Sequence, residues 1–159
     1  MLRWRKRNLC YAATYRPGRP LVSMPLPDPA DAPHVLVVDD DALILMDVSD
    51  ILEDAGFVVL EAMDVAQATR VLDEHHGKVQ LLFTDVQMPG PDNGFDLARR
   101  TAVTWPHIAI VVASGNVRPE PGDLPDGATF IGKPFSPSLV RHHVRETMPS
   151  EKHPGPLRR

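Results

Sequence analysis

Cysteine is nearly missing from this chain: Cys10 is the only one in 159 residues. A single thiol closes no intrachain disulfide and builds no thiolate metal cage, so disulfide scaffolds and zinc fingers are excluded. Long apolar runs are missing too. No stretch approaches the roughly 18 residues of a membrane-spanning helix, and the basic start leads only into a short, weakly apolar stretch ended by Arg16, so no signal segment is read there. The expectation is a soluble, cytosolic chain. Internal repeats are also absent. What is present is 43% hydrophobic and 24% charged residues, the balance of one globular domain with a real core.

The net charge of -4 conceals a segregation. Residues 1–27 carry six basic side chains and no acid, whereas residues 28–148 carry twenty acids and eight bases. An acidic body lacks the clustered basic surface that phosphate contacts need, so no DNA binding is expected of the folded part. The run Arg3 to Arg7, with Trp4 inside it, reads either as an arm for nucleic acid or anionic lipid, or as sequence upstream of a translation start at Met24. Prolines and small residues then dominate from Pro17 to Pro33, so residues 1–33 read as a basic, then proline-rich extension without fixed structure.

From His34 onward, short apolar runs alternate with amphipathic stretches, the signature of an α/β protein with a doubly wound parallel sheet. Five strands are expected, at Val35 to Val38, Phe57 to Leu60, Leu81 to Thr84, Ile108 to Val112 and Thr129 to Ile131. The first helix puts Ile44, Val48, Ile51, Leu52 and Ala55 on one face, with Asp47, Asp50, Glu53 and Asp54 on the other, and ends at Gly56. A second helix runs from an Asp64 N-cap to His76, a third from about Gly94 to Thr104, and a last one opens at Ser136 with Pro137 in its first turn. Between Gly115 and Gly127, Pro119, Pro121 and Pro125 leave room only for a loop. The domain is thus expected over residues 34–148, with 149–159 as a tail.

In such sheets, ligands bind beyond the carboxyl ends of the strands. Those ends carry Asp39, Asp40 and Asp41, then Asp85, Ser114 and Lys133. Carboxylates gathered on one rim repel one another, and an oxygen-ligated Mg²⁺ relieves that repulsion. A carboxylate beside a divalent cation, a lysine and a hydroxyl is equipped to accept a phosphoryl group. The pairs His75-His76 and His142-His143 do not chelate one ion, because adjacent helical residues point about 100° apart; they read as solvated helix ends.

Val37-Val38-Asp39-Asp40, Thr84-Asp85 followed by Met88-Pro89, Ser114-Gly115, and Lys133-Pro134-Phe135 resemble the response-regulator receiver domain of bacterial two-component signalling, of the stand-alone, chemotaxis-regulator-like kind. The resemblance implies a flavodoxin-like strand order 2-1-3-4-5. It implies Asp85 as phosphoacceptor, Mg²⁺ held by Asp39, Asp40, Asp85 and the Gln87 backbone carbonyl, and Lys133 and Ser114 binding phosphoryl oxygens. Phe130 matches the family's switching aromatic, although a plain core ring is an equal reading of it, and the Lys133-Pro134 peptide is expected to be cis. A histidine kinase or phosphotransfer protein is the implied donor, and the output is contact with another, unknown protein by a monomer or weak dimer.

Two departures accompany the resemblance. The loop after Asp85 reads Met88-Pro89-Gly90-Pro91-Asp92-Asn93-Gly94, one residue longer than is usual for the family. The family's fourth helix is short or missing, its place taken by the proline-rich segment; of the partner face this leaves the strand bearing Phe130 and the helix bearing Val140, Val144 and Met148, and some of these must fill the core. A rival reading is a phosphatase of the haloacid dehalogenase class with Asp39 as nucleophile and Asp41 beside it; it lacks the acidic pair such enzymes place after the lysine.

Overall fold

The computed structural model describes residues 31–158, so the readings placed on residues 1–30 lie outside the described residues. The chain alternates β1 (His34–Val38), α1 (Ala42–Asp54), β2 (Val58–Ala62), α2 (Val65–His75), β3 (Val79–Asp85), α3 (Gly94–Thr104), β4 (Ala109–Ser114), β5 (Thr129–Gly132) and α4 (Pro137–Thr147). All strands are parallel, in the order β2-β1-β3-β4-β5. Strand boundaries differ from the sequence reading by at most two residues. In particular Asp85 and Ser114 are the last residues of their strands, because backbone pairing continues past the point where apolar patterning stops.

The central strands are buried on both faces, which is why they read as unbroken apolar runs. Alternation then splits the core in two. Val35, Val37, Leu81, Phe83, Val111 and Ala113 join Val48, Leu52, Val140 and Val144 on the side of α1 and α4. Leu36, Val38, Leu82, Ile110 and Val112 join Ala68, Leu72, Phe95 and Leu97 on the side of α2 and α3.

The helix starts follow the sequence chemistry. Asp41 caps α1 through Leu43 N–H, Asp64 caps α2 through Gln67 N–H, and Ser136 caps α4 ahead of Pro137. At α3 the cap is Asn93, one residue before the expected start, in a reciprocal capping box with Asp96. Gly56 ends α1 with φ of +98°, the left-handed conformation that suits glycine. Gly115 to Gly127 contains no helix.

The core takes all three of Val140, Val144 and Met148 and not only some of them: they are 0%, 0% and 3% exposed, so none is left for a partner. One expectation is corrected: the segment after Met148 is not a tail that leaves the fold. It makes 3₁₀ turns at Ser150–Lys152 and Gly155–Arg158, and Leu157, 1% exposed, joins the same core cluster as Leu52, Ala55 and Phe57. Pro154 and Pro156 press on Gly56 so closely that a β-carbon there would sit 2.9 Å from each. A strap with one buried apolar residue and three prolines has no period for a sequence pattern to show.

Candidate functional site

The parallel register aligns the strand ends. Val38 pairs with Thr84, Asp85 with Ala113, and Ser114 with Gly132, so Asp39, Asp85, Ser114 and Lys133 come to one rim where the strand order reverses between β1 and β3. The rim holds a cleft lined by Asp39, Asp40, Asp41, Ile44, Asp85, Gln87, Ser114, Gly115, Asn116 and Lys133. Six residues singled out from the sequence, Asp39, Asp40, Asp85, Gln87, Ser114 and Lys133, therefore share one site.

Lys133 organises it. Its ammonium donates to Asp39 Oδ2 at 2.8 Å and to Asp85 Oδ1 at 3.0 Å, while the Lys133-Pro134 peptide is cis. The other oxygen of Asp39 accepts from Asp41 N–H at 2.9 Å. Asp39 and Asp85 are buried, and Asp40 is exposed. Burial pushes the Asp85 carboxyl above its ordinary value; the hydrogen bond and charge of Lys133 pull it back without prevailing, and the charge of Asp39 adds to the rise. Burial alone would lower the Lys133 ammonium, but its bonds to Asp39 and Asp85 outweigh that and hold it above its ordinary value. The two directions agree, because one lysine shared between two buried acids leaves negative charge uncompensated.

That surplus is where a cation fits. Asp39, Asp40 and Asp85 each offer a carboxylate oxygen, all within 4.8 Å of one another, the only such group of acids or histidines among the described residues. An all-oxygen donor set suits a hard divalent ion such as Mg²⁺. Asp41 stands apart from that set because its carboxylate is already engaged, accepting from Leu43 and Ile44 N–H as the cap of α1.

Gly94 sets the floor. Its N–H donates to the Val86 carbonyl at 2.9 Å, and any β-carbon there would overlap the Asp85 carbonyl oxygen, so only glycine lets α3 begin against the acceptor strand. The one-residue-longer loop is accommodated by Gly90, at φ +110°. Ser114 is 3% exposed, and its Oγ accepts from Val117 N–H at 3.1 Å. Phe130 is half-buried and packs on the α2–α3 side of the core, as do Val117 and Leu124.

Sequence reasoning did not place Ile44 or Asn116 in the cleft. Ile44 belongs by its spacing to the apolar face of α1. Asn116 has a usable signal, since it stands two residues beyond Ser114 as Gln87 stands two beyond Asp85.

Fold and site together define a doubly wound α/β protein with a lysine-bridged acid cleft at the strand ends. The chain belongs to the response regulator receiver domain family, whose model matches residues 35–145. It is 38% identical over 111 residues to Protein PetR of Rhodobacter capsulatus, covering 68% of this chain and 45% of PetR. The crystal structure of a response regulator receiver protein from Sinorhizobium medicae matches with TM-score 0.67 and 28% identity, covering 74% of this chain and 95% of that one. The receiver domain of the hybrid histidine kinase CckA matches with TM-score 0.63 and 26% identity, over 73% and 99% of the two chains. This chain spans less than half the length of the curated relatives PetR, ARR21 of Arabidopsis thaliana and CckA of Brucella abortus. No described helix is long and apolar enough to cross a membrane.

Proposed function

We propose that this chain acts as a response-regulator receiver over residues 34–148, with the strap packed behind it, that accepts a phosphoryl group on Asp85 from a histidine kinase or phosphotransfer protein. The observation that carries the reading is the shared lysine, which bonds Asp39 and Asp85 beside a third carboxylate. In the transfer, an Asp85 carboxylate oxygen attacks the phosphorus while the bond from phosphorus to the donor imidazole nitrogen breaks, and the imidazole leaves. When bound at Asp39, Asp40, Asp85 and the Gln87 carbonyl, Mg²⁺ supplies charge neutralisation for the phosphoryl oxygens. Lys133 exchanges its bond to Asp85 for one to a phosphoryl oxygen, the Ser114 hydroxyl donates to another, and Phe130 follows on β5.

Leu43 and Met46, 70% and 51% exposed on α1 beside the cleft, support docking of the donor there. The output is reversible contact with a further protein by a monomer or weak dimer in the cytoplasm, in keeping with the acidic charge of residues 28–148; the chain signals and is not a dedicated enzyme. Acid-labile label from acetyl phosphate tests the acceptor. It should appear on the wild type only with Mg²⁺ and be absent from Asp85→Asn; unchanged labelling of that variant would remove the claim.

A further inference from the structure

The amino ends of a parallel sheet are not where such folds ordinarily take ligands, yet in this chain a second wall rises there. The strap folds back beside the starts of β1 and β3, and together they bound a cavity of about 840 Å³, the size of a small-molecule site. Lys78, just ahead of β3, and Lys152 and Arg158 of the strap all line it.

The ion-paired cations of this acidic domain lie elsewhere: Arg99 holds Asp96 and Asp123, Arg100 holds Asp92, and Lys133 holds Asp39 and Asp85. None of the three cations at this cavity makes an ion pair among the described residues, although Asp31 and Glu151 line it too. Peptide carbonyls hold two of them instead. Lys152 Nζ donates to the His107 carbonyl at 3.2 Å, and Arg158 donates to the carbonyls of His153 at 3.0 Å and Glu151 at 3.3 Å. A carbonyl orients a cation without cancelling its charge, and these bonds leave further N–H donors on both side chains. The Lys78 ammonium has no bond to any described residue. His34 and His153 add a ring each, with one nitrogen bonded to the Ala32 or Met148 carbonyl at 3.0 Å. Pro33, Pro154 and Pro156 supply the apolar part of the wall.

The occupant this wall calls for is an anion, because cations left without carboxylates are strong donors to phosphate oxygens. The chain's own amino-terminal stretch has the wrong sign, since residues 1–27 carry six basic side chains and no acid. The three cations come from three separate segments, so a row of charged groups meets more of them than a single phosphate does. We propose that the cavity binds a small molecule carrying two or more phosphate groups, held by Lys78, Lys152 and Arg158.

The test is titration of the full chain with tripolyphosphate in metal-free buffer, followed residue by residue through amide shifts in nuclear magnetic resonance. Shifts should centre on His34, Lys78 and residues 152–158, and inorganic phosphate should bind about tenfold more weakly, the scale of one lost charge-assisted bond. Lys78→Gln should weaken tripolyphosphate by about the same factor without changing the melting temperature of the free protein, and Lys78→Arg should retain binding. Adenosine triphosphate is the second arm: tighter binding than tripolyphosphate marks a nucleotide site that uses the prolines, and equal binding marks recognition of the phosphate chain alone. No binding at millimolar ligand, largest shifts at Arg3 to Arg7 or in the Asp85 cleft, or unchanged affinity in Lys78→Gln overturns the proposal. Asp85→Asn should bind as the wild type does, so the outcome is independent of the phosphoacceptor.

Discussion

The two ends of one sheet are built to opposite purposes. At the carboxyl ends of the strands, three carboxylates share one lysine, and the Asp85 carboxyl sits above its ordinary value because burial outweighs that pairing. At the amino ends, the strap seals the sheet with Leu157 and two prolines seated on Gly56. One end keeps charge poorly compensated, which invites a cation and a phosphoryl group; the other removes apolar surface from water. Stability gained below permits electrostatic tension above.

The sharpest way to break this contrast is to exchange the costs. Asp85→Asn should abolish phosphoryl labelling yet raise stability at neutral pH in metal-free buffer. The sign follows from the raised carboxyl: ionising Asp85 costs the fold, and that cost vanishes below about pH 3.8, where the side chain is protonated whether folded or not. Denaturant melts of both proteins at pH 7 and below pH 3.8 should show the gain only at the higher pH. A variant less stable than wild type at pH 7 without metal would contradict the account of the rim.

At the opposite pole, ending the chain at Met148 should cost several kcal/mol by uncovering the seat of Leu157. Leu157→Ala should cost about 2 kcal/mol, the low end for a buried leucine because a strap can settle into the gap. Both should still label on Asp85 below their melting temperatures. If truncation leaves stability unchanged, the strap is not a seal.

Lys133→Ala sharpens the comparison from within the rim. Mg²⁺ binding, followed by titration calorimetry, should persist through Asp39, Asp40 and Asp85, whereas the response of Phe130 to beryllofluoride, a mimic of the phosphoryl group, should be lost. Loss of Mg²⁺ binding would give the lysine a different role. The smallest effect belongs to Arg99→Ala, which removes the clamp of α3 on the Gly122 and Asp123 carbonyls. Its ion pairs are half exposed, so stability should fall by only about 0.5 kcal/mol, but amide exchange from Glu120 to Asp123 should rise, showing that the clamp confines motion more than it stabilises.

The amino-acid sequence alone determined the α/β alternation, the helix caps at Asp64 and Ser136, and the identity of Asp39, Asp40, Asp85, Ser114 and Lys133, because periodicity, capping and strand-end chemistry are local. The loop in place of a helix was legible for the same reason: three prolines act on their own residues. Tertiary structure decided the rest. Asp41 became a cap and not a ligand once α1 began beside it, and Val140, Val144 and Met148 became core once α4 docked on the sheet. Asn116 entered the cleft by register, and Arg99 found its partners more than twenty residues away. The strap could be read only in three dimensions, since a single leucine has no period and Gly56, on which Pro154 and Pro156 press, lies about a hundred residues earlier in the chain.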